Sequence, residues 1–228
     1  MRCLLAIRSL RLHYRRSFGV ALLAALSFAC TPSTAPVREP VNPTLQSANA
    51  TLLEIADALE ALVARSADTH ADRQFAYQRV RSRSPLTAQD YLGRAMIAGR
   101  LAQISGLSAP SLVGEVERFA RRSAELDPEF RAGSAQRILG TLYVMAPAAL
   151  LSHGDSEAGL ELLEGVVRRF PERASNQLRL AEGYLALSDP GPARAHLCFC
   201  VAHRTALRVD EQKLLRELLE QAHVDHCP

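Results

Sequence analysis

The sequence predicts an all-α protein built from antiparallel helix pairs. Apolar residues recur every three or four positions in successive segments, which is the spacing of one helical face. Threonine or aspartate precedes several of these segments, and proline or glycine follows them, as expected where helices begin and end. No segment alternates apolar and polar residues around a hairpin turn, so no part of the chain requires a strand.

The first 29 residues have the order of a secretory signal peptide. Five arginines and no acidic residue come first, followed by an uncharged run of 12 residues from Phe18 to Ala29. A helix that spans a membrane needs about 20 apolar residues, so this run is too short to span. A stretch rich in proline, serine and threonine follows it. We therefore expect residues 1–29 to be a signal peptide that is removed on export.

The end of this segment, LSFAC, resembles a bacterial lipobox, in which a small residue precedes the cysteine that becomes the lipidated N-terminus. Ala29 is the small residue and Cys30 the cysteine, although Ser27 stands where the family prefers leucine. The resemblance implies stable anchoring through acyl chains on Cys30. Thr31 replaces the aspartate that retains lipoproteins at the inner membrane, which implies the inner leaflet of the outer membrane, facing the periplasm. The alternative is an ordinary secretory signal with an incidental cysteine.

The mature chain is predicted to be a tether followed by a helical domain. Residues 30–48 carry the lipidated cysteine and a Pro/Ser/Thr-rich extended tether, and the domain covers residues 49–225. Removing the leader's five arginines leaves 22 basic and 24 acidic residues, a formal net charge of −2. No dense basic tract remains that would neutralise phosphates, so we expect no nucleic-acid partner.

The first half of the domain is predicted to contain four helices. Thr51 and Glu54 have capping-box spacing and begin the clearest amphipathic helix of the chain. Three further helices are predicted to run from about Ala71 to Arg81, onward from Thr87, and from Ser111 to Leu126.

The second half contains an internal repeat, in which a small residue precedes a tyrosine by three positions and a helix ends at a proline. The repeated positions are Gly140/Tyr143 with Ala181/Tyr184, and Pro128 with Pro171. These features resemble the tetratricopeptide repeat, a helix-turn-helix unit of 34 residues. The prolines are 43 residues apart, so the repeat is interrupted, mainly by APAALLSHG. The resemblance implies an α-solenoid of about four antiparallel helix pairs with DEQKLLRELLEQA as a C-terminal capping helix.

A narrower resemblance covers the same region. LGTLYVMAP followed by GDSEAGLELLEGVVRRFPERASNQLRLAEGYL is similar to the periplasmic lipoprotein T component of TRAP-type transporters. That resemblance implies a helical-repeat body that serves a solute-binding protein.

The repeat resemblance also implies candidate binding residues, because the first helix of each pair lines the inner face of such solenoids. The inner-face candidates are Arg137, Thr141, Val144, Leu178, Glu182 and Leu185. Leu178 and Glu182 stand where some family members have a clamp for a peptide carboxylate, so binding of chaperone tails is not expected. The apolar insertion from Met145 to Ser152 either plugs a groove of its own domain or presents Leu150 and Leu151 to a partner.

Histidine and cysteine crowd near the C-terminus. Export favours disulfides, so Cys227 is a candidate partner for Cys198 or Cys200; unpaired structural thiols and a metal site are the alternatives. On a helix, His196, Cys200 and His203 would share one face, but Cys200 falls at a position where the repeat family packs a small residue. We therefore predict neither a metal site nor a cofactor.

No motif of nucleophilic, metal or phosphate chemistry occurs, and SHGDS is too compact to form a catalytic triad. The sequence therefore predicts a protein that is not an enzyme and has no catalytic residues. We expect an interaction scaffold or adaptor, whose partners are another periplasmic or envelope protein and the membrane, through the lipid on Cys30. The alternatives are an accessory of a TRAP-type transporter and a metal or redox protein that uses the His/Cys cluster.

Overall fold

The computed structural model describes residues 41–106 and 109–227. Within these ranges the chain is all-α, as predicted, and has no strand. The predicted signal peptide, Cys30 and residues 31–40 of the predicted tether lie outside the described residues. The α-helices of the described ranges are α1 (Leu52–Val63), α2 (His70–Arg81), α3 (Ala88–Ala102), α4 (Ala109–Leu126), α5 (Phe130–Met145), α6 (Ser156–Arg169), α7 (Ala174–Ala186), α8 (Pro190–Ala202) and α9 (Val209–Gln221).

The first three helices begin with capping boxes. The Thr51 side chain accepts a hydrogen bond from the backbone N–H of Glu54, and the Glu54 carboxylate accepts one from the backbone N–H of Thr51. Thr69 and Thr87 make the same arrangement with the aspartates three residues later. Each box satisfies N–H groups that have no partner inside the helix. The predicted starts after Thr51 and Thr87 are confirmed, and α2 begins at His70, one residue before the predicted position.

Helices that follow one another in the chain pack together in most of the domain. The most extensive contacts join α3 with α4, α5 with α6, and α7 with α8. The N-terminal part differs, because α1 packs more extensively against α3 than against α2. Gly93 of α3 permits this contact, since an added Cβ would lie only 2.7 Å from the carbonyl oxygen of Leu52. The weakly apolar α2 buries only Asp72, Ala76 and Val80.

Residues that precede position 49, where we predicted the helical domain to begin, pack against α1 and α2. Residues Pro43–Gln46 form a short 3-10 helix, and Leu45 is 1% exposed among the apolar side chains of α1 and α2. The backbone N–H of Asn42 also donates to the Asp72 carboxylate at 2.6 Å. A single leucine in a proline-rich stretch has no periodicity, so the sequence pattern did not indicate its burial.

A C-terminal helix is present where one was predicted, and residues at its start form ion pairs with α1 and α3. Besides packing against α7 and α8, α9 places Asp210 at 3.4 Å from the Arg100 guanidinium of α3. Arg208, which directly precedes α9, lies 3.1 Å from the Glu60 carboxylate of α1. These ion pairs connect α1 and α3, near the N-terminal end of the domain, with the start of α9.

In residues 41–106 and 109–227, none of the helices combines the length and the apolar character that crossing a bilayer would require.

Candidate functional site

A cavity of about 520 Å³ lies between the helices that these ion pairs connect. Side chains from α1, α3, α4, α5, α7 and α9 line it. Its volume is within the range of about 300–1,000 Å³ that is typical of small-molecule sites. We refer to this feature as the central cavity.

One side of the central cavity is apolar. Met96 of α3, Val113 and Val116 of α4, and Ile138 and Leu142 of α5 line this side. Gly99 of α3 widens the space, because an added Cβ would touch only the Val116 side chain, at 3.7 Å. The apolar wall therefore comes from three neighbouring helices in the middle of the chain.

Charged residues, most of them paired, also line the central cavity. Arg100 donates two hydrogen bonds of 2.6 Å to the Glu60 carboxylate, and Arg208 lies 3.1 Å from the same carboxylate. Burial alone would lower the pKa of Arg100, but the hydrogen bonds and charge of Glu60 outweigh burial and raise that pKa. Arg131 makes a two-pronged pair with Asp57, at 2.6 and 2.7 Å.

Arg131 reaches Asp57 because the chain makes a left-handed turn where α5 begins. Arg131, Ala132 and Gly133 have φ values of 51°, 55° and 72°. Gly133 suits this region, whereas a Cβ makes it unfavourable for Arg131 and Ala132. The regular part of α5 therefore follows Gly133, and it begins in the wall of the central cavity with Ser134 and Arg137.

Arg137 differs from the other arginines of the central cavity because its partners are neutral. Its Nη1 donates to Asn176 Oδ1 at 2.5 Å, and its Nη2 donates to Ser134 Oγ at 3.1 Å. Among the described residues no carboxylate forms an ion pair with it, whereas Arg179, its neighbour in the wall, pairs with Glu182 at 2.7 Å. Burial lowers the pKa of Arg137 to about 10, so the guanidinium remains charged at neutral pH.

Thr141 lies one helical turn after Arg137 and lines the same cavity. Its Oγ1 is buried and has no hydrogen-bond partner within the part of the chain that the structure describes. A buried hydroxyl that lacks a partner costs free energy, so such groups are uncommon in folded proteins. Arg137 and Thr141 together place unused hydrogen-bonding capacity on one face of α5.

The six inner-face candidates have different surroundings in the structure. Arg137 and Thr141 line the central cavity, and Glu182 pairs with the cavity residue Arg179. Val144 is partly buried and lies against the α5–α6 contact, close to Gly159.

Leu178 and Leu185, which we predicted for the inner face, are buried inside the domain. They are 0% and 6% exposed in a C-terminal cluster together with Ala193, Leu197 and Leu215. The repeat register placed them on the inner side of α7, but α8 and α9 cover that side of the helix. The two leucines therefore stabilise the end of the domain.

The apolar insertion folds against its own domain. Leu151 packs with Phe119, Leu139 and Tyr143, and Leu150 is partly buried in a short 3-10 helix, Ala148–Leu150. Leu151 therefore contributes to the core of the domain. Met145, where the insertion begins, is 53% exposed and also lines the central cavity.

A buried carboxylate fastens the end of the insertion to α4. Glu117 accepts hydrogen bonds from the Tyr143 hydroxyl at 3.1 Å and from the backbone N–H groups of Ser152 and His153 at 2.9 and 2.8 Å. Burial by itself would raise the pKa of Glu117, but these hydrogen bonds outweigh it and lower the pKa. The sequence did not single out this residue, because a glutamate in an amphipathic helix is normally exposed.

Among the alternatives that we left open for the cysteines, the structure has a Cys198–Cys227 disulfide, with 5.3 Å between the two Cα atoms. Cys200 is a free, buried thiol that donates to the carbonyl of Ala174. Burial raises its pKa to about 12, so it is protonated and unreactive at neutral pH. The disulfide attaches the C-terminal tail to α8.

The histidines near the C-terminus have separate surroundings. His196 Nδ1 contacts Gln177 Oε1, and the ring stacks on Tyr184. His203 is exposed and stacks on Phe199. Over residues 41–106 and 109–227, His, Cys, Asp and Glu form no group of three that could hold a metal ion.

Sequence reasoning missed much of the central cavity. The inner-face argument was applied only to α5 and α7, and applying it to α1 and α3 would have suggested Glu60 and Arg100. No local pattern indicated Arg208 and Glu211, since their position depends on how α9 folds back.

No model of a protein family matches this chain, and no curated protein matches it.

Proposed function

We propose that this protein is a binding lipoprotein of the bacterial envelope, with a helical-repeat body that acts as an interaction scaffold or adaptor in the periplasm. In this proposal α1 to α8 form four tetratricopeptide-like pairs, and α9 is the capping helix. Packing between chain neighbours supports the later pairs, and the close α5–α6 contact at Gly140 and Gly159 supports the role of small residues where paired helices touch.

The observation that carries this proposal is the central cavity. It draws its walls from helices of both halves of the domain, and it combines an apolar side with a mostly paired charged side. Concave sites of this kind are typical of binding. We propose that a partner protein engages the domain at this face and that the protein performs no chemistry of its own.

We further propose that acyl chains on Cys30 anchor the protein in the inner leaflet of the outer membrane. Residues 31–40 would then connect the lipid to a domain that begins near residue 41. A Cys30→Ala variant tests the anchor. If Cys30 is lipidated, the unaltered protein should fractionate with membranes, and its N-terminal peptide should carry the mass of diacylglycerol. The variant should be found in the soluble periplasmic fraction.

Photo-crosslinking in intact cells tests the partner. A benzophenone amino acid in place of Met145, at the edge of the central cavity, should form a discrete adduct with one envelope protein. The same amino acid at Leu86, which is 81% exposed and does not line the cavity, is the matched control. An absence of adducts at Met145, or identical adducts at both positions, would count against a scaffold that uses this face.

A second candidate is an accessory of a TRAP-type solute transporter that meets a solute-binding protein. The volume of the central cavity and the absence of an ion pair at Arg137 among the described residues favour it, because a cavity of this volume can hold a small solute. Genes for a TRAP permease next to this gene, and binding of the encoded solute-binding protein to the purified domain, would support it.

A further inference from the structure

We propose that the central cavity binds an amphipathic monocarboxylate, whose carboxylate contacts Arg137 and Thr141 and whose apolar chain lies along α3, α4 and α5. This inference rests on the proposed binding function and names the ligand class for the same face. It depends on three observations, namely the partners of Arg137, the buried hydroxyl of Thr141, and the form of the cavity.

Arg137 supplies the positive charge. A guanidinium has five N–H donors, and the described contacts use two of them, on Asn176 and Ser134. Both acceptors are neutral, and no described carboxylate lies within ion-pair distance of the guanidinium, although Glu211 and Glu60 of the same wall act on its charge from farther away. Carboxylates are the natural match, because they accept two parallel hydrogen bonds from the fork of an arginine.

Thr141 supplies a second donor at the matching position. Residues four apart on a helix share a face, and Thr141 and Arg137 both line the central cavity. The Thr141 Oγ1 has no partner among the described residues. A carboxylate between the two side chains would satisfy both of them, which neither a cation nor an aliphatic chain would do.

The charge of the remaining wall limits the ligand to one negative group. Arg100 and Arg208 share the carboxylates of Glu60 and Asp210, and Arg208 also lies 3.8 Å from Glu211. Arg131 is paired with Asp57, and Arg179 is paired with Glu182 outside the cavity wall. Because these cations are paired, a second carboxylate on the ligand would meet no free cation in the described part of the wall.

The apolar side of the central cavity accommodates the chain. Its volume of about 520 Å³ gives space for roughly 17 non-hydrogen atoms, at a water's share of about 30 Å³ each. An unbranched acid of ten carbons fits within this volume. Met96, Val113, Ile138 and Leu142 would cover its methylene groups.

The experiment is calorimetric titration of the disulfide-intact domain with four probes. Decanoate should bind, whereas decanol and succinate should each bind at least about tenfold more weakly, because each lacks half of the required chemistry. Decyltrimethylammonium should not bind measurably. Equal affinity for decanoate and decanol, or for decanoate and succinate, would overturn the proposal, as would no binding of decanoate.

Variants locate the site. Arg137→Met should weaken decanoate binding about ten- to hundredfold and leave decanol unaffected, and Thr141→Val should weaken it less. Gly99→Leu places a side chain in the cavity near Val116 and should block both probes without removing any charge. Arg122→Met removes an exposed arginine that does not line the cavity and should leave binding unchanged. Unchanged decanoate affinity in the folded Arg137→Met and Gly99→Leu variants would place the ligand elsewhere and overturn the proposal.

The two proposals fail separately. Photo-crosslinking to one envelope protein at Met145 without binding of decanoate would leave the scaffold standing and reject this ligand class. Specific binding of decanoate without any protein adduct would support the ligand class and reject the protein-interaction scaffold.

Discussion

At the scale of single residues, Glu117 shows how a buried charge can organise a loop. Its carboxylate holds two backbone N–H groups at the end of the insertion and the hydroxyl of Tyr143. Because the insertion has no regular secondary structure at Ser152 and His153, these N–H groups depend on a side chain for their hydrogen bonds. Glu117 therefore links the end of the insertion to α4.

We expect Glu117→Gln to lower the free energy of unfolding by about 2–3 kcal/mol at pH 7, because an amide cannot replace a carboxylate that accepts several hydrogen bonds. Since the pKa of Glu117 is lowered in the folded state, its contribution is present above the ordinary value of 4.5 and is lost as pH falls through the folded pKa. Urea unfolding of the wild-type protein and of Glu117→Gln should show that their difference in the free energy of unfolding becomes smaller as the pH is lowered from 7.

The control is Glu125→Gln, which alters an exposed carboxylate paired with Arg122 on the same helix. It should change stability by less than about 1 kcal/mol at either pH. A Glu117→Gln variant as stable as this control would show that the insertion is held by its apolar contacts alone.

Cys200 provides a second test at this scale. Its side chain is fully buried, and its pKa is raised to about 12, first by burial and then by the charge of Glu211. Thiol-reactive dyes at pH 8 should therefore label the folded domain slowly and label one thiol after unfolding in guanidinium, since the other two cysteines of the domain are bonded. Cys200→Ser should abolish the signal; rapid labelling of the folded wild-type domain would contradict its burial.

At the scale of helices, α5 and α6 approach closely at two glycines. A Cβ added to Gly140 would lie 2.8 Å from the carbonyl oxygen of Gly159, and one added to Gly159 would lie 2.8 Å from that of Gly140. Backbone atoms cannot move aside as a flexible side chain can. The close approach of the two backbones therefore explains why the residue three positions before Tyr143 is small.

We expect Gly140→Ala to destabilise the domain by about 1–3 kcal/mol, because the methyl group forces the two helices apart. Gly165→Ala, on α6, is the matched control, since its added Cβ would meet only the end of Arg168, at 3.7 Å. That change should stabilise the domain by up to about 1 kcal/mol, because alanine has the higher helix propensity. Thermal and urea unfolding should be measured for both variants. Equal changes in stability for Gly140→Ala and Gly165→Ala would contradict the close contact between α5 and α6.

At the scale of the whole domain, the ion pairs around Glu60 connect helices that are distant in sequence. Glu60 on α1 accepts from Arg100 on α3 and contacts Arg208 at the start of α9. Glu60 and Arg100 are largely shielded from water, with side-chain exposures of 13% and 14%. Such a cluster couples the first and last α-helices of the described domain and borders the central cavity.

Glu60→Gln should cost about 2–4 kcal/mol, since it leaves two partly buried arginines with less compensation. Hydrogen exchange should increase in α9 as well as in α1, because the variant loosens both ends. Asp57→Asn removes the more exposed pair with Arg131 and should cost less than about 1 kcal/mol, an effect that disappears in high salt. Faster exchange confined to α1 would show that the two ends are not coupled.

The sequence by itself determined the helical class and most helix boundaries of the described domain, because periodicity, capping boxes and prolines act within a few residues of each other. Thr51, Thr87 and Asp155 begin helices as their local patterns indicate. The repeat resemblance singled out Arg137 and Thr141, which line the central cavity in the structure.

Tertiary structure alone decided which faces are covered and which charges meet. Leu178 and Leu185 fit an inner face by register, yet α8 and α9 bury them, and Leu45 joins the core from a segment without periodicity. The pairing of Glu60 with Arg208, and the contact of Arg137 with the neutral Asn176 in place of an ion pair, depend on contacts between distant segments. Local patterns carry no information about such contacts, because their geometry is set by how all the helices pack together.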